Sequence, residues 1–520
     1  FAHLVEEVSG SDYPELPTCV GFCTYMRREA LDRCGAFRVE AFPRGYGEEN
    51  DLSLRFSSAG YCHLLDTTTF IYHSGSASFQ EDKSELMEQG QKIIEKLYPH
   101  YADDIARFYV QNPLLPYQQR VQEALLKYWL ESKEGVVLQI LHNGPYVSRV
   151  DPLGGTERCV QGLIEDLPHL AHWSLVVSEA QYILSAHMGG YHREFYFPLA
   201  EISLRDIVSA ELFPLVHVHH TRWFDQSHLA EALAEHPNVI LSIHDFVLGC
   251  PRFHLITPEG EHCDTKSCSS VCGLSKSFMV SYRDAGQKLL SQASKAICFS
   301  DSSRRLLSKM FTLPESLEVV SHGISVTRNA SYEVSRKEDE PLRVAVFGHL
   351  VAHKGEELFR KLFLHSKLPS ASKVEWHLFG SEAPIQREHI TSYGRYTPEN
   401  LPEMVMQSGA HCALFLSRCP ETYSLAVDEA WACGLPVVVS PLGAPRERVE
   451  RSGAGWVVES LTEEVVLSLL DTIASNSQEL MTKVSAVQKV NLLTRRDEAE
   501  QLSRHYKSSP RAGKDYEALL

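Results

Sequence analysis

Two glutamates eight positions apart bracket the run Glu421-Thr-Tyr-Ser-Leu-Ala-Val-Asp-Glu429, which continues as Ala-Trp-Ala-Cys-Gly434-Leu-Pro436-Val-Val-Val. Carboxylates accept hydrogen bonds, so such a pair can hold two groups of hydroxyls. The apolar spacing of Leu425, Ala426, Ala430 and Ala432 predicts a short helix, with Gly434 to end it and Pro436 opening a buried, valine-rich strand. Glu421 then lies in the loop before the helix and Glu429 on its second turn. The backbone N–H groups of Tyr423, Ser424 and Leu425 offer an anion site between them. Phosphate at a helix end, with hydroxyl-rich rings on either side, is the chemistry of a nucleotide-sugar. Taken alone, two glutamates at this spacing equally describe a solvated helix face.

Other residues converge on the same chemistry. Phe347-Gly348-His349-Leu350-Val-Ala-His-Lys354-Gly355 follows a predicted strand, so its glycine turn lets the backbone approach phosphate and Lys354 brings a positive charge. Phe379-Gly380-Ser381 and Gly394-Arg395-Tyr396 end or follow the next strand, where Ser381 and Tyr396 are either base contacts or turn residues. Gly154-Gly155-Thr156-Glu157 opens a helix, and Thr156 is expected to cap it. His217, His219 and His220 end one strand and His244-Asp245 the next, so both strand ends face one cleft. Cys250, Cys263, Cys268 and Cys272 fall in one loop-like segment. Four soft ligands can hold structural zinc, but the spacing is not the paired C-x2-C, and buried thiols or a redox pair explain it as well.

These residues belong to a chain of 520 residues, enough for roughly three or four domains. Its 43% hydrophobic and 22% charged content is that of a soluble globular protein. A net charge of −17 argues against nonspecific binding to nucleic acid or anionic lipid. No apolar run reaches the roughly 20 residues that span a bilayer, and scattered cysteines suit a reducing, cytoplasmic setting. The opening at Phe1, directly in foldable sequence, leads us to expect a natural beginning upstream.

Pattern divides the chain. Residues 1–95 mix short strands with polar turns, and 96–134 have the periodicity of a helical connector. From 135 to 335, strand candidates at 135–141, 174–177, 215–219, 238–244, 296–299 and 317–320 alternate with helices, which predicts a doubly wound sheet. A charged linker, Arg336 to Pro341, begins a second such domain, 336–508, with strands at 343–347, 375–379, 412–416 and 436–439. Its last helical segment, 480–505, is placed to pack back across both domains, and 509–520 reads as a tail. Paired doubly wound domains bind ligands at the C-terminal ends of their strands.

The stretch from Glu421 to Val439 closely resembles the E-x7-E signature of retaining glycosyltransferases of family four, which have the GT-B fold. The resemblance makes 348–355 the family's G-x-L-x-x-x-K-G phosphate loop, although arginine often stands where this chain has His349. It implies that Glu429 accepts the ribose hydroxyls, that Glu421 addresses the sugar ring, and that Gly155, Gly348, Lys354, Ser381, Tyr396, Tyr423, Ser424 and Leu425 surround the donor. A strand-end histidine contacts the donor sugar in the family; His219 is the first choice here and His244 the second. Gly443-Ala-Pro-Arg446-Glu447 resembles a stretch near the cleft, and Ser321-His322-Gly323 one near the hinge.

The amino-terminal block, with Val20-Gly-Phe-Cys, Glu48-Glu49-Asn-Asp51 and Ile71-Tyr-His73 in that order, resembles the second half of an inverting family-two glycosyltransferase with the GT-A fold. The resemblance makes Glu49 the base toward an acceptor hydroxyl, Asp51 its support and His73 a metal ligand. The D-x-D pair that holds the divalent metal in that family does not occur before residue 95.

The expectation is therefore an α/β protein of GT-B architecture, two Rossmann-like doubly wound domains preceded by a partial GT-A domain. It implies transfer of a sugar from a nucleoside diphosphate-sugar, without an obligatory metal, to a glycan or lipid-linked acceptor in bacterial surface polysaccharide synthesis. Membrane contact would be peripheral. The rivals are a noncatalytic glycan- or nucleotide-binding subunit and a GT-B epimerase or phosphorylase; intact Glu421, Lys354 and Glu429 speak against the first.

Overall fold

The protein is described by a computed structural model that covers all residues except 11, 44, 74–82, 147–153, 264, 267, 329–333, 338 and 507–520. The expected tail lies outside the described residues. The chain divides into two compact units, one ending at Ser132 and the other beginning at Lys133.

The first unit is richer in helix than its turn-laden sequence implies. Helices Ala2–Ser9, Arg28–Cys34, Glu48–Ser58, Lys83–Leu97, Tyr101–Gln111 and Leu115–Glu131 surround one short antiparallel ladder, Glu15–Leu16 with His63–Leu64. The stretch expected to connect domains packs within this unit. Tyr101 shares a core with Phe42 and Ile94, and Tyr98 donates to Asp51 at 2.7 Å.

The second unit contains two sheets. The first has eight strands in the order Leu317–Val319, Lys295–Cys298, Val239–Ile243, Val216–Val218, Gly135–Ile140, Leu170–Val177, Gln181–Met188, Tyr191–Pro198. The six strands from Leu317–Val319 to Leu170–Val177 are parallel, as their unbroken Val, Ile and Leu runs predict. The last two are an antiparallel hairpin that the purely parallel expectation omitted. It turns at Gly189 and Gly190, with φ of 58° and 88°, the positive pair that a two-residue hairpin turn requires.

The second sheet runs Ile390–Ser392, Val374–Phe379, Leu342–Phe347, Cys412–Phe415, Val437–Val439, Gly455–Val457, all parallel. Trp376, Trp431, Phe359 and Phe363 fill its core. The closing segment is not one helix. Ser477–Val487 packs on the second sheet's core through Leu480, Val484 and Val487. The chain then makes a two-residue strand, Leu493–Thr494, beside Gly323–Ile324. Thr494 starts the Arg495–Ser503 helix with a capping box to Asp497, and Ala499 and Leu502 join the core of the first sheet.

Candidate active site

The E-x7-E segment folds as its spacing predicts. The helix is Leu425–Ala432, Gly434 has φ 84°, and the strand is Val437–Val439. Ser424, the N-cap, has φ 72° and ψ 85° and makes no side-chain cap, so the first N–H groups are left to other partners.

What holds that strained turn is a residue the sequence reading missed. Arg448 donates from Nη1 to the carbonyls of Tyr423 at 3.2 Å and Ser424 at 3.4 Å, and from Nη2 to the Asp428 carboxylate. Its Cζ sits 4.0 Å from the Tyr423 ring centroid and 5.0 Å from that of Trp431. Arg448 is 6% exposed and Asp428 2%. Burial raises the Asp428 carboxyl above its ordinary value even with Arg448 pulling it down. No local spacing links positions 428 and 448, so only the fold reveals the pair.

The two glutamates differ in state. Burial pushes the Glu421 carboxyl up, but Lys354 and hydrogen bonds from Ser417 and Ser424 outweigh it and hold it below the ordinary value. Burial wins at Glu429, whose carboxyl is raised against the pull of Tyr396, Arg158 and Lys354. Lys354 thus acts on both. It ends the Ala352–Lys354 turn, and Gly355 follows with φ 87° in a place where a Cβ would come 2.4 Å from the Leu416 carbonyl. Only glycine satisfies both demands.

Tyr396 donates to Glu429 Oε2 at 2.8 Å, so it steadies that carboxylate. Ser381 is engaged with the phosphate loop: its hydroxyl donates to the Gly348 carbonyl and accepts from the Leu350 N–H at 3.1 Å. Gly443 turns tightly behind Glu421, where a Cβ would lie 2.6 Å from the Glu421 nitrogen. Within the same stretch, Glu447 pairs with Arg305 at 2.9 Å and Arg446 with Glu450 at 2.8 Å.

From the first sheet, Gly154 is the N-cap of the Gly155–Asp166 helix and no side chain caps it. Thr156 therefore does not have the capping role expected of it; it lies buried inside the first turn. Glu157 receives His142 at 3.2 Å and Asn143 at 3.1 Å. Arg158 reaches the other side of the cleft, with Nη1 3.6 Å from Glu429 Oε1.

The histidines separate by depth. His219 is 2% exposed, with Nε2 bonded to Gln139 Oε1 at 2.8 Å and Nδ1 to His244 Nε2 at 3.1 Å. His244 stands in front of it, half-buried, and Thr422 donates to its backbone carbonyl at 2.6 Å. Both ring nitrogens of His219 are thus engaged, one of them with His244 Nε2. His217 lies deeper, bonded to Tyr506 and Ser242. Burial and neighbouring imidazoles hold His217, His219 and His244 well below the ordinary value, hence neutral. His220 bonds Asp245 at 2.8 Å. His322 meets buried Glu498 of the final helix at 2.6 Å, and the Gly323 N–H donates to the same carboxylate at 2.8 Å.

All the cysteines are free thiols. Among the described residues, the groups of three or more His, Cys, Asp or Glu side chains with ligand atoms within 4.8 Å are Cys159/His219/His244 and Cys159/His322/Glu498. Cys250, Cys263, Cys268 and Cys272 are near neighbours, and among the described residues they are not one of these groups. Cys268 instead bonds the Thr265 carbonyl and Arg283.

In the first unit, Glu49 occupies the first turn of the Glu48–Ser58 helix, next to Gly21. Asp51 is fully buried and taken up by Arg38 at 3.1 Å, Arg55 at 2.9 Å and Tyr98 at 2.7 Å. These contacts make it a structural knot of the first unit. His73 packs on Phe22 with ring centroids 4.7 Å apart.

The family model Glycosyl transferases group 1 matches residues 328–486. WcaC of Escherichia coli (strain K12), named for glycosyl transfer in colanic acid biosynthesis, is 24% identical over 161 residues, 30% of this chain and 38% of its own length. Among solved structures, Anabaena HepE in complex with UDP is 13% identical, covering 72% of this chain and 100% of its own, with a TM-score of 0.48. Sucrose-phosphate synthase from Thermosynechococcus elongatus is 16% identical, covering 72% and 98%, with a TM-score of 0.49. Among the described residues, no helix is long and apolar enough to cross a membrane. The carboxy-terminal sheet and its E-x7-E helix thus lie within the segment that matches the group 1 glycosyl transferase model, and the chain spans well under half the length of the curated relative it matches.

Proposed function

We propose that the second unit transfers a sugar from a nucleoside diphosphate-sugar, with retention of anomeric configuration, to a glycan or lipid-linked acceptor of a surface polysaccharide. The observation that carries this reading is the pair Glu421 and Glu429 flanking an uncapped helix start, with Lys354 acting on both. As the bond from sugar to diphosphate breaks, negative charge gathers on the departing phosphate. Lys354 and the N–H groups after Ser424 are preset to stabilise that charge, so the site needs no divalent metal. Glu421, ionised, accepts hydroxyls of the sugar ring; Glu429, steadied by Tyr396, accepts those of ribose; His244 faces the sugar from the other wall. The name of WcaC supports a polysaccharide acceptor. Residues 1–95 are a partial GT-A block, half of a second transferase activity, and any membrane association is peripheral.

The test is a panel of nucleotide-sugars offered to the purified chain with glycan and lipid-linked acceptors, and NMR of the product's anomeric centre. Retention is expected, and Glu421→Ala is expected to abolish transfer while the protein stays folded. An inverted product, near-normal turnover in Glu421→Ala, or donor binding without any transfer would overturn the reading.

A further inference from the structure

The donor reading leaves a charge unaccounted for. A diphosphate brings at least two negative charges next to an ionised Glu421, and the phosphate loop supplies one fixed cation, Lys354. The neighbouring histidines do not help: burial holds His353 down to about 4 and keeps His254 low as well. Other cations near the cleft are committed elsewhere. Arg448 is tied to Asp428, Arg418 pairs with Glu261 at 2.9 Å, and Arg222 lies over the rings of Trp223 and Phe253.

Arg158 is placed differently. It follows the Gly154-Gly155 turn in the first turn of its helix, its N–H bonding the Gly154 carbonyl at 3.1 Å. Gly155 lies directly against the start of the opposite helix, since a Cβ there would be 3.7 Å from Leu425 Cδ1. Two uncapped helix starts, at Gly155 and Leu425, therefore border one gap, and each favours an anion. The Arg158 side chain is 45% exposed while its partner Glu429 is 7% exposed, and their 3.6 Å separation is a loose ion pair. A long, half-exposed guanidinium whose ion pair among the described residues is this loose one can change partner at little cost.

We propose that Arg158 is the second cation for the donor's diphosphate. It leaves Glu429 for the phosphate oxygens when the ribose hydroxyls bond to Glu429. One side chain of the first sheet would then couple donor binding in the second sheet to the position of the opposite wall. Arg158 is a binding residue, not a participant in bond breaking.

This rests on the donor reading above, and the experiment separates the two. Nucleoside diphosphates and the matching free nucleosides are titrated against wild type, Arg158→Gln and Arg158→Lys by calorimetry and ligand-observed NMR. In Arg158→Gln, diphosphate affinity should fall about tenfold or more, as for loss of a charged hydrogen bond, with nucleoside affinity within about twofold of wild type. Arg158→Lys should recover part of the loss, because a point charge survives without the guanidinium fork. Equal losses for nucleoside and diphosphate would mean that Arg158 acts only through Glu429 and would overturn the proposal, as would no loss for either. A wild-type protein that binds no nucleoside diphosphate would instead overturn the donor reading, and this proposal with it.

Discussion

Replacing Arg448 by methionine keeps the length of the side chain and removes its charge. Asp428, 2% exposed, then loses its guanidinium partner, and the carbonyls of Tyr423 and Ser424 lose their donor. Breaking a buried pair in this way costs about 3–5 kcal/mol. A second route bounds the same number. A stranded carboxylate escapes by taking a proton, which at pH 7 costs at most about 4 kcal/mol from an ordinary value near 3.9. The folded-state value in the variant lies above the unfolded one, so the penalty is present at neutral pH and shrinks as pH falls. At pH 5 its ceiling is about 1.5 kcal/mol. Urea unfolding followed by tryptophan fluorescence at both pH values measures the difference, with Trp431 5.0 Å from the lost guanidinium as a local reporter. Adding Asp428→Asn should recover most of the loss at pH 7. A destabilisation below about 1 kcal/mol, or one independent of pH, would show that the pair does not hold the turn as argued.

Glu429→Ala should weaken nucleoside binding by about 1–3 kcal/mol through loss of a charged acceptor for ribose, read by titration with the free nucleoside; unchanged affinity would move the ribose site elsewhere. Acid should destabilise the second unit. Burial holds His172 and His377 down to about 4, so between pH 6.5 and 4 the unfolded chain takes protons that the native one refuses. Each such histidine then contributes about 2 kcal/mol of lost stability at pH 5, and a melting temperature that is flat from pH 7 to 5 would contradict this. Glu49→Gln should leave the transfer activity of this chain unchanged in a direct rate comparison; a clear loss would place the first unit in the same reaction.

The E-x7-E helix and the sheets were legible because their signals are local. Val437–Val439 and Gly135–Ile140 are unbroken apolar runs, and Gly434 and Gly355 stand where the chain needs positive φ. The hairpin of Gln181–Met188 and Tyr191–Pro198 was also written there, in its Gly189-Gly190 turn, but the expectation of an all-parallel sheet passed over it. Thr156 was misread because a hydroxyl after a glycine pair suits a cap, whereas the helix already begins at Gly155 with Gly154 in the cap position.

The amino-acid sequence by itself determined which residue types could meet a diphosphate and two sets of hydroxyls, because that chemistry lies within one loop and one turn of helix. Tertiary structure alone decided which of them meet. His219 and His244 end adjacent strands, and the packing of those strands pairs their rings, Nδ1 to Nε2, at 3.1 Å. Arg448 reaches Asp428 across twenty positions, Arg158 reaches Glu429 from the other sheet, and Glu498 reaches His322 from the last helix. Contacts between residues so far apart in the chain leave no periodicity to read, since their spacing is set by how the two sheets pack rather than by the geometry of any one helix or strand.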